Sequence, residues 1–561
     1  MPSNILPVVQ PLPVIRGSPK YEAIRESLLH DFSTKVPETC RISRTIIDNP
    51  PKNVTGIPQQ CGILSQEELG ITENYDAVAL AGEIATKRLT AVAVVTAFAK
   101  RAIIAHQLSC CLTEFFMEEA IEQARYLDAY LERTGKTVGP LHGVPISVKE
   151  MIPLAGHFSS LGFLVTRHRD ERDSHMIAIL RKAGAVFYCK TAQSQGVMHL
   201  ETDSLYGRVL NPYNITLTAG GSTGGAAALL ALRGSVLSIG TDIGGSIRVP
   251  ASFCGLYGFK STSYTLPMRG FVGPGGFAAE LNVLSSTGPL SSSLRDLDFF
   301  VSVLNAAHPH LEDPRLIPTT WTGLRTTVER KSLVVGFMMN DGLIVPQPPV
   351  TRALRWAREK LSQNSEFEVK DFAAYRVDEA LRNMQLAFFP DGGKQIKHAL
   401  EATGEPALPL TKLAIQDAEA SGQDLDAAGV LRHRVARDSF RCDFARHWNA
   451  LDVDVVVCPA YVGPACSHET GLFWNYGAFW NYVDYPGVVI PTPVKGLSKG
   501  SEDYAPTNAT PLGKQDEHVR KLWEEGDFEG APVGIQIVAR KYHDNDLFAA
   551  LKLMESSLGL K

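Results

Sequence analysis

From Thr90 onward the apolar residues fall at helical spacing. In TAVAVVTAFAKRAIIAHQ the positions Val92, Val95 and Phe98 follow a threonine placed to cap the first turn. A second amphipathic helix is expected from about Glu118 to Arg133. The pattern then changes to period two: VPISVKE, ending in Lys149 and Glu150, predicts a core strand preceded by those two helices. Next, Ser174 can cap the helix HMIAILRKA, Gly184 can end it, and AVFYCK reads as another strand. Further on, SLVVGF, DVDVVVCPA, GVVIP and GIQIVAR are strand candidates separated by helices such as VTRALRWAREKLSQ. Alternation of this kind predicts an α/β fold, a large sheet covered by helices on both faces.

The first 70 residues are rich in proline and short helical fragments, which predicts an arm (1–70) packed on a main body (71–561). Two polar stretches rich in Gly, Pro, Ser and Thr, at about 305–330 and 495–530, read as surface excursions of one fold. With 561 residues, 44% of them hydrophobic and 20% charged, the chain has ample material for a large core.

Charge narrows the class of partner. The balance of 55 basic against 60 acidic residues, net −5, comes without a basic block or stripe, which argues against nucleic acid and anionic membranes. A small neutral ligand fits better. The nine cysteines show no CxxC spacing or neighbouring histidines, so a metal site is not expected, and they read as free thiols of a cytoplasmic protein. The adjacent Cys110 and Cys111 are expected within a helix. The proline-bearing N-terminus MPSNILPVVQPLPVI lacks the early positive charge of a signal peptide. No membrane span is expected, because even AAALLALRGSVLSIG is broken by Arg233. A homodimer is compatible with the sequence, which does not specify an oligomeric state.

The chemistry concentrates between Ala219 and Gly255, AGGSTGGAAALLALRGSVLSIGTDIGGSIRVPASFCG. Two Gly-Gly-Ser turns, Gly220-Gly221-Ser222 and Gly244-Gly245-Ser246, flank a helix-like segment and the strand VLSIG. Paired glycines allow positive φ and let main-chain N–H groups converge on one point, a place to hold negative charge. Amide hydrolysis needs an activated nucleophile, donors aimed at the developing oxyanion, and an acid for the leaving nitrogen. Ser246 suits the first role, with the N–H groups of its own turn supplying the second. Ser222 offers another hydroxyl. No histidine lies near either serine in the sequence, which leaves Lys149 as the candidate base. A lysine has an ordinary pKa of about 10.4, and burial can lower it by roughly 3–5 units.

These segments resemble the amidase-signature family, in particular fungal acetamidase-like and general amidases. The resemblance rests on GVPISVKE with Lys149, GGSTGG with Ser222, and GTDIGGSIRVPASFCGLYGFK with Ser246, supported by YGRVLNPYN, VCPA and APVGIQIVARKYHDNDL. It spans about residues 60–555. It implies a Ser-cisSer-Lys triad, with Ser246 as acyl-ester nucleophile, Ser222 as bridging serine and Lys149 as base. It also implies an oxyanion hole from the N–H groups of Ile243, Gly244, Gly245 and Ser246, with Ser222 beside the substrate. The implied fold is one large α/β/α domain around a mixed sheet, with no metal or organic cofactor, and the implied substrate is a small or medium aliphatic or aromatic carboxamide. Thr223 stands where a second serine is commoner, KTAQSQ (190–195) replaces KTNVPQ, and Ala226 departs from GGSSGGEG.

Plainer roles compete for the same residues. Ser222 can serve as a helix cap ahead of TGGAAALLAL, and Asp242 with Arg248 reads as an ion pair that fixes the turn rather than as catalytic residues. Phe388, Phe389, Phe473, Trp474, Phe479 and Trp480 could line an acyl pocket or pack a core. Three other functions remain open: an α/β-hydrolase-like esterase using Ser222 in GGSTG, a nucleotide-binding module, and a catalytically silent amide-binding relative. The esterase motif expects a strand immediately before its serine, and TLTAGG is a weak one.

Overall fold

Successive residues of Val455–Pro459 belong to different cores. Val455 and Val457 pack in one apolar cluster, Val456 and Cys458 in a second. Strand side chains alternate between faces, so the sheet holding this segment is covered on both sides, as the alternation of strands and helices predicts. The helices Ala91–Ser109, Pro348–Ser362 and Asp544–Leu558 contribute to the first cluster, and Val377–Phe388, Ala427–Leu451 and Asn475–Tyr482 to the second.

The computed structural model describes residues 5–271, 283–328, 330–422, 425–508 and 510–561. Residues 1–4 of the expected arm, and 329 and 509 of the expected excursions, lie outside the described residues. Among the described residues the main sheet has eleven strands, numbered in chain order: β1 (Leu112–Phe115), β2 (Pro145–Lys149), β3 (Val186–Thr191), β4 (Leu237–Asp242), β5 (Tyr257–Lys260), β6 (Ser286–Ser291), β7 (Leu333–Phe337), β8 (Phe367–Asp371), β9 (Val455–Pro459), β10 (Gly487–Lys495) and β11 (Pro532–Ala539). Their spatial order is β1-β3-β2-β4-β6-β5-β10-β11-β9-β7-β8. Parallel pairs join β2 to β3 and β4, and β7 to β8 and β9; the remaining neighbours are antiparallel, making the sheet mixed. Because β2 and β4 are parallel neighbours, Lys149 and Asp242 leave the sheet at the same edge. Carboxyl ends of parallel strands are where α/β sheets place their ligands.

Several local expectations change. β1 falls between the two early helices, so β2 is not the first sheet strand; its four residues are too few to show alternation. β6, STGPLS, has the composition of a loop and is held as a strand by β4 and β5 on either side. Ser174 occupies the N-cap position, yet its buried hydroxyl makes no capping bond or other hydrogen bond. The helix from Ala91 ends at Ser109, with Cys110 as a left-handed cap at φ 54° and Cys111 beyond it. That helix is long and apolar enough by length and composition to cross a membrane, and 78% of the relevant window is buried within the protein. All nine cysteines are unpaired thiols.

The N-terminal segment is tied to the rest by specific bonds. Arg25 Nε donates to the Leu205 carbonyl at 2.5 Å, Gln107 Oε1 accepts the Ile42 N–H at 2.9 Å, and the Val54 N–H reaches the Pro212 carbonyl at 2.9 Å.

Candidate active site

Strand β2 delivers Lys149 with no exposed surface into a pocket of three hydroxyls. Its Nζ lies 2.8 Å from Ser222 Oγ, 3.0 Å from Thr223 Oγ1 and 3.0 Å from Thr241 Oγ1. The threonine protons have other acceptors: Thr223 donates to the Thr241 carbonyl at 3.5 Å and Thr241 to Met151 Sδ at 3.4 Å. Their oxygens therefore accept from Nζ. Nζ is placed to donate to all three hydroxyls, as an ammonium with three donors does; a neutral amine, with two N–H donors and one lone pair, would keep both threonine bonds only by turning the lone pair to Ser222. Burial lowers the Lys149 pKa to about 7, against the opposing charges of Asp242 and Glu150.

The Ser222 turn is shaped by close backbone approach. Gly220 has φ +85°, and a side-chain carbon there would lie 2.8 Å from Pro250 Cα. The Gly221–Ser222 peptide is cis. The helix Gly224–Ala231 takes Thr223 as its N-cap residue, without a side-chain capping bond, so Ser222 is not the cap that local sequence suggests. The Thr223 N–H donates to the Ser246 carbonyl at 3.2 Å, bringing the two Gly-Gly-Ser turns together.

Asp242 fixes the second turn. Its carboxylate accepts the N–H groups of Gly245 (2.9 Å), Ile247 (3.1 Å) and Arg248 (3.3 Å), and both Arg248 Nε and Nη2 at 3.0 Å. Burial alone would push this carboxyl up; the Arg248 charge and hydrogen bonds, with Lys260 and the Gly245 N–H, hold it well below the usual carboxylate range. Arg248 in turn reaches the Gly477 carbonyl, Asn481 Oδ1 and Gln536 Oε1. The pair is thus the turn-fixing clamp the sequence suggests. The Gly245 N–H, one of the four expected at an oxyanion, is engaged by Asp242 Oδ1. Among the described residues, the N–H groups of Ile243, Gly244 and Ser246 donate to no protein acceptor. Ser246 itself is 3% exposed.

A cavity of about 430 Å³ opens beside this turn, lined by Met198, Met384, Phe388, Phe389, Leu472 and Trp474 among others, with exposed Gln385, Asp417 and Gln515 also on its lining. The Trp474 ring lies so close to Gly244 that a side-chain carbon on the glycine would meet it at 2.7 Å. Phe388, Phe389 and Trp474 therefore line the cavity. Phe473, Phe479 and Trp480 are buried in the second core cluster.

The sequence of residues 93–548 matches the Amidase family model. The chain belongs to the amidase family. The Gibberella zeae amidase FG08078 is 35% identical over 531 residues, covering 92% of this chain and 94% of its own. The Aspergillus oryzae acetamidase is 32% identical over 520 residues, covering 90% and 94%. Among solved structures, a fatty acid amide hydrolase superposes with a TM-score of 0.88 at 30% identity, covering 97% of this chain and 95% of that one. The protein is an amide hydrolase, with the large mixed α/β sheet of its family.

Sequence reading of this amidase missed the residues that arrive from a distance. Thr241 is only one position before Asp242, and strand alternation could have suggested that it faces away from it, toward Lys149. Asn481 and Gln536, which complete the Arg248 network, have no local signal at all.

Proposed function

We propose that this amidase cleaves the C–N bond of a carboxamide bearing an apolar acyl group, through an acyl-enzyme on Ser246. In this reading the neutral Lys149 amine takes the Ser222 proton as Ser222 takes the proton of Ser246, and Ser246 Oγ attacks the carbonyl carbon. The N–H groups of Ile243, Gly244 and Ser246 meet the resulting oxyanion. The proton then returns through Ser222 to the departing nitrogen, the C–N bond breaks, and ammonia or an amine leaves. Water, deprotonated by the same relay, attacks the ester and releases the acid with Ser246 regenerated.

The observation that carries the proposal is the bonding at Lys149. Its Nζ lies 2.8 Å from Ser222 Oγ and 3.0 Å from two threonine hydroxyls that have other acceptors for their protons, so that in the neutral form the two threonines can take its N–H groups and leave the lone pair to Ser222. A cavity of about 430 Å³ with mainly apolar lining exceeds what acetamide needs and falls in the range of drug-sized ligands. It favours the medium end of the aliphatic and aromatic amides, in keeping with the likeness to a fatty acid amide hydrolase. The esterase reading with Ser222 as nucleophile is disfavoured, because the strand Asn214–Thr218 ends before the serine and pairs in a separate two-stranded sheet.

The test is ammonia release from straight-chain amides of increasing length, with wild type and Ser246→Ala. Turnover should rise from acetamide to medium chains and vanish in the variant. Normal turnover by Ser246→Ala would sink the proposal.

A further inference from the structure

Two adjacent residues outside the proposed triad, Glu201 and Thr202, hold two different segments of the site. The Thr202 hydroxyl donates to the Gly220 carbonyl at 2.9 Å and accepts the Gly224 N–H at 3.0 Å. This clip spans the turn that carries Ser222. The preceding backbone presses on the same turn, since a side-chain carbon on Gly221 would meet the carbonyl oxygens of Glu201 and His199 at 2.5 and 2.6 Å.

The Glu201 side chain serves the other segment. Its carboxylate accepts the Glu469 N–H at 2.9 Å and the Gly471 N–H at 2.7 Å. That loop runs directly into Leu472 and Trp474, which line the apolar cavity, and Trp474 is the residue seated on Gly244. Both Glu201 and Thr202 are buried, at 4% and 1% exposure. A buried carboxylate is costly, and here its bonds go to the main chain of a cavity loop rather than to a cation in direct contact. Arg208, the nearby cation, instead pairs with Asp203 and Glu469.

We infer that Glu201 and Thr202 are a positioning pair for amide hydrolysis: Thr202 sets the Ser222 hydroxyl against Lys149, and Glu201 sets the Trp474 wall against which the acyl chain lies. Neither touches the reacting atoms. The inference rests on the proposed role of Ser222 as proton relay. If it holds, the two residues affect different kinetic constants. Loss of the Thr202 hydroxyl misplaces a group used in bond making, which lowers kcat. Replacing the Glu201 carboxyl, which accepts both loop N–H groups, loosens a binding wall, which raises KM for long acyl chains.

The test measures kcat, KM and melting temperature of Thr202→Val, Thr202→Ser and Glu201→Gln with acetamide and octanamide, beside Ser246→Ala. Thr202→Val should lower kcat on both amides by about tenfold or more with KM within about twofold, and Thr202→Ser should recover most of the loss. Glu201→Gln should raise KM for octanamide about fivefold or more and leave acetamide within about twofold. Unchanged kcat in Thr202→Val, a Thr202→Ser as impaired as Thr202→Val, or equal effects of Glu201→Gln on both amides would overturn the inference. Should Thr202→Val fail to fold, the octanamide-to-acetamide contrast in Glu201→Gln decides it. An active Ser246→Ala would instead sink the triad reading itself, so the two failures are distinguishable.

Discussion

The N–H of Thr223 donates to the carbonyl of Ser246 at 3.2 Å. Through this single bond the Gly220–Gly224 turn and the Gly244–Ser246 turn are held together, and the residue making it also accepts from Lys149 through its hydroxyl. Thr223 thus links all three proposed catalytic positions without being one of them.

The bonding at Nζ leads to a prediction for Thr241. In Thr241→Val one N–H loses its acceptor and is free to turn toward Ser222, displacing the lone pair. Because a positioned base contributes about 10²–10⁴-fold, kcat should fall by roughly one to two orders of magnitude, with recovery in Thr241→Ser. Steady-state kinetics of the two variants check this.

A pH profile follows from the Lys149 pKa of about 7. In the proposed mechanism the neutral amine is the active form, so kcat/KM should rise with pH through about 7 and level off above it. Lys149→Ala should lower activity by about 10²–10⁴-fold, lose that limb, and leave a residual rate that climbs with hydroxide. Profiles of wild type and variant between pH 5 and 10 measure the difference.

The same shift has a consequence for stability. Its folded pKa is depressed from 10.5, so between about 7 and 10.5 the unfolded lysine binds a proton that the folded one does not. Stability from this group therefore rises with pH across that window, and its full cost is present below about pH 7. At about 1.36 kcal/mol per unit, Lys149→Met should gain stability relative to wild type by of the order of 4 kcal/mol more at pH 7 than near pH 10. Urea unfolding at the two pH values tests the sign.

Asp242→Asn removes the charge that Arg248 faces at no exposure on either side. Breaking a buried pair from one side costs about 3–5 kcal/mol, and the Gly245–Arg248 main chain loses acceptor strength as well. Denaturant midpoints should fall accordingly, with activity lost in the fraction that remains folded.

Much of the fold is visible in the chain because buried strands such as PISVK and VVVCP are rich in β-branched residues, while helices such as Pro348–Ser362 carry a clear apolar stripe. β6 is not, since STGPLS owes its extended form to two strands that both precede it in the chain, through pairs such as Leu237–Ser291 and Gly258–Leu290, rather than to its own composition. At the site, Lys149, Ser222 and Ser246 stand out through glycine turns and family resemblance. The use of the Gly245 N–H by Asp242, and the Glu201–Thr202 clip, depend on side-chain direction, which spacing does not encode.

The most direct measurement is the site of acylation. Wild type incubated with a p-nitrophenyl ester of a medium-chain acid, quenched in acid and digested, should carry the acyl mass on the peptide containing Ser246, and Ser246→Ala should carry none. Acyl mass on Ser222 with Ser246 unmodified would contradict the account.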